Sequence, residues 1–467
     1  MASVFLDQLA KALSLWRKRS ARERRNLTPR EFILEGLEER VNPANFDIDL
    51  ANYTGTLQIN SFGTGSADLS ISQSGFNVLS FSSSTNIYVN NADTGSTTYN
   101  LSLASKPSLS KIQVSSGSGI QDNLTIQNLN ASNFAGTSSL DLTFAGSSSD
   151  LDSVTVSSVT TIAGGSTTGG AIQLTGYKAT LSSTVETGSG GITVTAPNQI
   201  QLAASPNLVT NKGSINLTGP VALTQSATLN TFNAVSGSGA IQISGSVQSS
   251  GGTNDLTLIS GSATTTVTGN VQVGKLTLQS NATTSTGGVS LGGDLNLSTL
   301  TTFAQPYAVA MTGSSVSTSG DLTFLNTGGV TLGNGDFDTF SPGGGLYATA
   351  SPVNLHAIIS ALGSVSLGPT ALQGAAKIVV VSGSLTLGGL DTNGHLLDLT
   401  AGNFPTVIGG SVTLDNTVQS KGALTFANAT VTQDGNAQLT TAGTLTFSGT
   451  TTVDGGGTNS VFPPPTW

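Results

Sequence analysis

Between Gly190 and Phe447 one short phrase keeps returning: a glycine or turn residue, an apolar residue, a small polar one, and a second apolar one. It reads Gly-Gly-Ile-Thr-Val at 190–194, Gly-Ser-Ile-Asn-Leu at 213–217 and Gly-Ala-Ile-Gln-Ile at 239–243. Later copies are Gly-Lys-Leu-Thr-Leu (274–278), Gly-Asp-Leu-Asn-Leu (293–297), Gly-Asp-Leu-Thr-Phe (320–324), Gly-Ser-Val-Ser-Leu (363–367) and Gly-Ser-Leu-Thr-Leu (383–387). Gly-Ser-Val-Thr-Leu (410–414), Gly-Ala-Leu-Thr-Phe (422–426) and Gly-Thr-Leu-Thr-Phe (443–447) close the series. Alternation of apolar and polar residues is the period of a strand with one buried face. The leading glycine marks a corner that needs a positive φ or a bare backbone. Taking Ile192, Ile215, Ile241, Leu256, Leu276 and Leu295 as equivalent positions, the steps run from 15 to 26 residues.

A unit this short cannot bury its apolar side alone, and stacking on copies above and below supplies the missing cover. The pattern therefore predicts an all-β chain built as a right-handed parallel β-helix, a β-solenoid. The competing architecture is a string of antiparallel sandwiches, which also show short alternating strands between turns. The missing Trp and Cys core markers in the body and the irregular spacing favour the solenoid.

The pattern divides the chain into four parts. Residues 161–450 are the regular solenoid, interrupted at 335–360, where Gly335-Asp336-Phe337-Asp338 and Pro342-Gly343-Gly344-Gly345 predict a long lateral loop. Residues 45–160 are an irregular β region, read as a cap with the first coils; a separate small sandwich is the alternative. Strands are expected there at Thr56–Ile59, Asn86–Val89, Leu124–Ile126, Leu140–Phe144 and Val154–Val156. Residues 451–467 form an extended tail whose Pro463-Pro464-Pro465 run cannot continue a ladder. That tail blunts the last coil, or the chain is a piece of a longer protein. In residues 1–44, Phe5, Leu9, Leu13 and Trp16 fall on one face of a short helix, followed by a basic run from Arg17 to Arg25. A basic amphipathic leader suits a membrane surface. Its charges follow the apolar residues, the reverse of a secretory signal.

Charge sharpens this division. Residues 1–44 carry 9 Lys and Arg against 6 Asp and Glu, whereas the other 423 residues carry 7 against 19. Only 9% of the chain is charged, so the body lacks the clustered cations that nucleic acid requires. No 18-residue apolar window crosses a membrane. There is no cysteine, hence neither a disulfide framework nor a thiolate metal site.

After the basic run stand Leu37, Glu38, Glu39, Arg40, Pro43 and Ala44. In that order, just ahead of a Ser/Thr/Gly-rich β body, they resemble the Leu-Glu-(Glu/Asp)-Arg-x-x-Pro-Ala tag of large planctomycete surface proteins. The resemblance covers the first tenth of the chain and implies export or surface placement. The same stretch also reads as a short capped helix ended by Pro43, and a processing point near Ala44 is a separate expectation. The repeats themselves resemble those of filamentous-haemagglutinin-like and autotransporter-type adhesins, which implies the solenoid fold.

Parallel β-helices also include polysaccharide lyases and hydrolases. A hydrolase needs paired carboxylates in one cleft. This chain has no adjacent Asp pair, and Asn393-Gly394-His395-Leu396 offers only Asp391 and Asp398 nearby. Lys377 and Lys421 are isolated as lyase bases. His356 and His395 have no partners at catalytic or zinc-binding spacing. Gly333-Asn334-Gly335-Asp336-Phe337-Asp338 is one calcium-type fragment without a tandem copy. Asn123, Asn216 and Asn281 head Asn-x-Thr triplets of the kind expected by chance in this composition. The sequence thus predicts a non-enzymatic, adhesin-like surface protein without cofactor or metal. Its expected partners are other surface or matrix components, carbohydrate among them. The alternatives are a β-helix carbohydrate-active enzyme and a carbohydrate-binding module, the latter needing aromatics aligned on one face.

Overall fold

The computed structural model describes residues 44–162, 169–233, 237–280, 285–400, 406–414, 416–433, 437–450 and 452–455. The expected leader helix, the tag residues Leu37, Glu38, Glu39, Arg40 and Pro43, and the tail beyond 455 lie outside them. All the described residues belong to the compact unit Asn42–Trp467. They are strands joined by turns, with two single 3-10 turns at Ala131–Asn133 and Ser250–Gly252.

One coil shows the plan. Val309–Met311 runs along a first face, Ser315–Thr318 along a second and Leu322–Thr323 along a third. Val330–Leu332 then lies back on Val309–Met311 in parallel, with Val330 opposite Val309. Repeating this course makes a β-solenoid. Its first face carries an unbroken inward row from Ile112 through Leu142, Ile172, Ile192, Ile215 and Ile241. The row continues through Thr265, Val289, Val309, Val330 and Val353. It passes Thr370, Leu390 and Val412 and reaches Val431, whose strand pairs in parallel with Thr452–Gly455. A second row, from Leu124 and Val154 through Val247, Val271, Leu295 and Val316 to Leu399, lines the second face. On the third face Leu129, Val159, Val185, Leu208, Leu229, Leu258 and Leu278 stack in turn. These rows meet in one buried core running the length of the body.

Two expectations are corrected. The copies of the phrase do not form one column. Ile192, Ile215 and Ile241 stack on the first face, but Leu256 and Leu276 stack on each other in the third, and Leu295 sits on Val271 in the second. Alternation marks a half-buried strand on any face, so the pattern cannot say which face it is. Nor is 335–360 a long lateral loop. It holds the strands Thr339–Pro342, Leu346–Ala348, Val353–Leu355 and Ile358–Ala361, all paired in parallel with their neighbours. Pro342 closes its strand, and Gly343 packs against the preceding coil, where an added Cβ would lie 2.4 Å from the Ser319 carbonyl oxygen. The glycine run makes a tight corner.

The corners explain the composition. Gly245, Gly269, Gly293 and Gly313 climb the edge between the first and second faces, one per coil. A Cβ on each would come within 2.1–2.4 Å of the backbone of the glycine below. None of these four has a positive φ; here it is close approach of neighbouring coils that excludes a side chain. At the edge between third and first faces, buried Thr187, Thr210, Thr231 and Ser260 form a polar column. Thr210 and Thr231 donate to the carbonyls of Gly213 and Gly239, and Ser260 to that of Ala263 at 2.8 Å. Corner carbonyls that no strand can pair are satisfied in this way. The bend from second to third face uses single residues in the left-handed region, Asn128, Ser158 and Ser183.

The N-terminal end is built differently. Thr56–Phe62 and Gly65–Gly75 pair in parallel with Lys111–Ser115 and Ile120–Asn130, and so belong to the coils. On their other side lie antiparallel strands: Asn45–Asp49 on Thr56–Phe62, Val78–Ser83 on Gly65–Gly75, and Thr98–Ser102 on Val78–Ser83. They cover a sheet edge that would otherwise be open to pairing with another chain.

Candidate functional site

Of the tag residues, Ala44 alone lies among the described residues. It is fully buried in the core, and its carbonyl accepts a hydrogen bond from Thr85 Oγ1 at 2.7 Å. Ala44 is therefore part of the folded body and packs at the start of the strand Asn45–Asp49.

Of the residues that sequence reasoning weighed for chemistry, four are brought into two side-chain pairs. Lys377 and Asp398 are cross-strand neighbours on the second face, with Nζ 3.5 Å from Oδ2. Asp391 lies on a first-face strand opposite Thr413, and its Oδ1 accepts from the Asn393 backbone N–H at 3.0 Å. Asp391 and Asp398 thus belong to different faces. The His395 backbone N–H donates to the Thr392 carbonyl at 2.8 Å, which closes the same turn. Asp336 Oδ1 meets His356 Nε2 at 2.7 Å across adjacent coils. Asp338 Oδ2 accepts from the Asn334 N–H at 2.7 Å, so the Gly333–Asp338 fragment folds on itself. Among the described residues no group of three or more His, Asp or Glu is arranged to hold a metal ion. Asn123, first of the Asn-x-Thr triplets, is taken up by hydrogen bonds to Asp68 and Ser153. The most exposed large apolar side chains, Phe337 and Phe76, are on a corner loop and on a hairpin turn of the cap, not in one row.

Two features escaped the sequence reading. The first is a buried carboxylate cluster at the corner of the first coils. Asp122, 1% exposed, accepts the Ser61 hydroxyl proton at Oδ2, while its Oδ1 is buried with no hydrogen-bond partner. The Asp122 N–H donates to Oδ1 of equally buried Asp152 at 2.7 Å. Burial pushes the Asp122 carboxyl up to about 6, the Ser61 and Ser116 hydroxyls oppose this, and the negative charges of Asp152 and Asp150 add to it. A signal was present: Asp122 is two residues before Leu124, hence on the inward parity.

The second is a trough on the outside of the second face, along the solenoid axis. Asn270, Asp294 and Ser315 form one wall, and Gln248, Gln272, Asn296 and Ser317 the other; the intervening backbone at Val271 and Leu295 is its floor. It encloses about 300 Å³. The first wall is cross-linked: the Asp294 N–H donates to Asn270 Oδ1 at 3.0 Å, and Asp294 Oδ1 accepts from the Ser315 N–H at 2.9 Å and Ser314 Oγ at 3.1 Å. In the second wall Gln248, Gln272 and Asn296 stand in register on successive coils. No helix of the described residues is long and apolar enough to cross a membrane. Comparison with known protein families, with curated proteins and with solved structures gives no match.

Proposed function

We propose that this chain is an exported, non-catalytic surface protein whose body serves as a polar stalk and contact surface. The observation that carries the reading is the unbroken first-face row from Ile112 to Val431, coil on coil without an inserted domain. Parallel crossovers of twisted strands take the right hand, so the solenoid is read as right-handed. Of the ionisable residues weighed for catalysis, Lys377 pairs with Asp398 and His356 with Asp336 across neighbouring coils, while Asp391 and Asp338 each hold their own turn. A hydrolase would instead bring two carboxylates to one cleft. The covered N-terminal edge suits a body that projects singly rather than adding strands from a neighbour. The tag resemblance at Leu37, Glu38, Glu39, Arg40, Pro43 and Ala44 supplies the location, and the basic leader ahead of it suits a contact with the membrane surface during export.

Buried Ala44 refines the processing point. A cut on its N-terminal side keeps every described residue, whereas a cut after it removes a core residue. Separation of native cells into cytoplasm, envelope and medium, with sequencing of the chain's N-terminus in each, tests both statements. The expected result is a mature chain in envelope or medium that begins at or before Ala44. An intact chain confined to the cytoplasm would refute the surface reading. A mature terminus beyond Ala44 would refute the processing rule alone.

A further inference from the structure

The trough at Gln248–Ser317 has the features of a binding site, and we infer that it takes a neutral polysaccharide chain lying along the solenoid axis. The inference deepens the proposed reading by naming a ligand class. It rests on the body alone, so binding by the purified chain is independent of where the cell places it.

The two walls stand two residues apart along each strand, about 7 Å, and each repeats once per coil, about every 4.8 Å. A linear ligand laid in the trough therefore meets the same pair of walls on three successive coils. The side chains on those walls suit hydroxyl groups. Gln248, Gln272 and Asn296 are exposed, and their side-chain amides make no hydrogen bond to any described residue. Each amide offers two donors and an acceptor, the combination that pairs with hydroxyl groups, which both give and take. Asp294 has its Oδ1 filled by Ser314 and Ser315 of its own side of the trough, and its Oδ2 accepts from no described residue; it supplies an acceptor already held in place.

The competing ligands fit less well. No Lys or Arg lines the trough and Asp294 is anionic, so an acidic polymer is repelled. An extended peptide would bind by adding a strand, but the floor strands Val271–Leu278 and Leu295–Thr301 are already paired on both sides. The lining holds no aromatic ring and no apolar side-chain pocket. Affinity at this one site is therefore weak and grows through repeated contact along a polymer.

Affinity electrophoresis of the full chain tests this, in gels containing hydroxyethylcellulose, dextran, galactomannan or, as the acidic control, alginate. Retardation by at least one neutral polymer and none by alginate is expected. The double substitution Gln272→Ala/Asn296→Ala, which touches no internal contact, is expected to weaken that retardation about tenfold. Its circular dichroism should match that of the parent, which separates lost binding from lost fold. Free migration through all three neutral gels would overturn the inference. So would retardation by alginate alone, or retardation that the double substitution leaves unchanged.

Discussion

Replacing Gly269 with alanine is expected to destabilise the surrounding coils by about 2–3 kcal/mol. The added Cβ would sit 2.4 Å from the carbonyl carbon and oxygen of Gly245 and 2.5 Å from the Ser246 nitrogen. All three are backbone atoms of the coil below. They cannot swing aside as a side chain would, so relief requires the two coils to separate at that corner. Parting there strains the Val247–Val271 and Val271–Leu295 pairings. Stability in a stacked array is close to a sum over nearest neighbours, so the damage should stay local. Hydrogen exchange should rise in Val247–Ser249 and Val271–Leu278 and change little in Ile120–Asn130. Gly288→Ala is the matched control: a Cβ added there would meet no atom within 4 Å, and its φ is not positive. That change should move stability by no more than about 0.5 kcal/mol. Equal effects of the two substitutions would show that the glycine column is not a packing requirement.

The second large effect is expected at Asp122. A carboxyl whose ionisation is pushed up to about 6 from 3.8 holds its proton in the folded chain after the unfolded chain has released it. Stability therefore falls as pH rises from about 4 to about 6, and levels off above that. The full shift corresponds to about 3 kcal/mol. Asp122→Asn keeps an oxygen for the Ser61 hydroxyl and cannot ionise. It should leave the protein nearly unchanged at pH 4 and stabilise the first coils by about 1–3 kcal/mol at pH 7.5. Exchange protection of Ile120–Asn130, measured at both pH values for both proteins, reads this directly. A variant less protected than the parent at pH 7.5 would mean that the ionised carboxylate is satisfied and contributes to the fold.

Much of the architecture was legible because its rule is simple. The expected strands at Thr56–Ile59, Leu124–Ile126 and Val154–Val156 lie within observed strands, since alternation around Leu57, Leu124 and Val154 reports one buried face wherever that face is. Assignment to faces was not legible. Leu276 and Ile241 sit in the same phrase, and only the number of corner residues between them decides that one stacks on Leu256 and the other on Ile215. The Gly343–Gly345 run misled for a related reason. Glycine signals a tight corner and a flexible loop with the same letter, and the Ser319 backbone beside it decides between them. The trough depends on register across coils. Gln248, Gln272 and Asn296 are 24 residues apart in turn, but Asn270, Asp294 and Ser315 form the facing wall only because the strands align. Asp122 was legible by parity, but its lack of a cation partner was not, because that depends on every neighbouring coil.

The body is one stack of coils with one position of each face per coil. The absence of cysteine makes this measurable, since introduced cysteines are then the only sites for spin labels. Thr193, Asn216, Gln242, Thr266, Ser290, Ala310, Thr331 and Asn354 stand in one outward row of the first face. Pulsed electron spin resonance on the pairs Thr193→Cys/Ser290→Cys, Thr193→Cys/Thr331→Cys and Thr193→Cys/Asn354→Cys spans four, six and seven coils. The predicted separations are about 19, 29 and 34 Å, a straight line of about 4.8 Å per coil. Distances that fail to grow with coil number, or that place Asn354 nearer to Thr193 than Ser290 is, would contradict the stack.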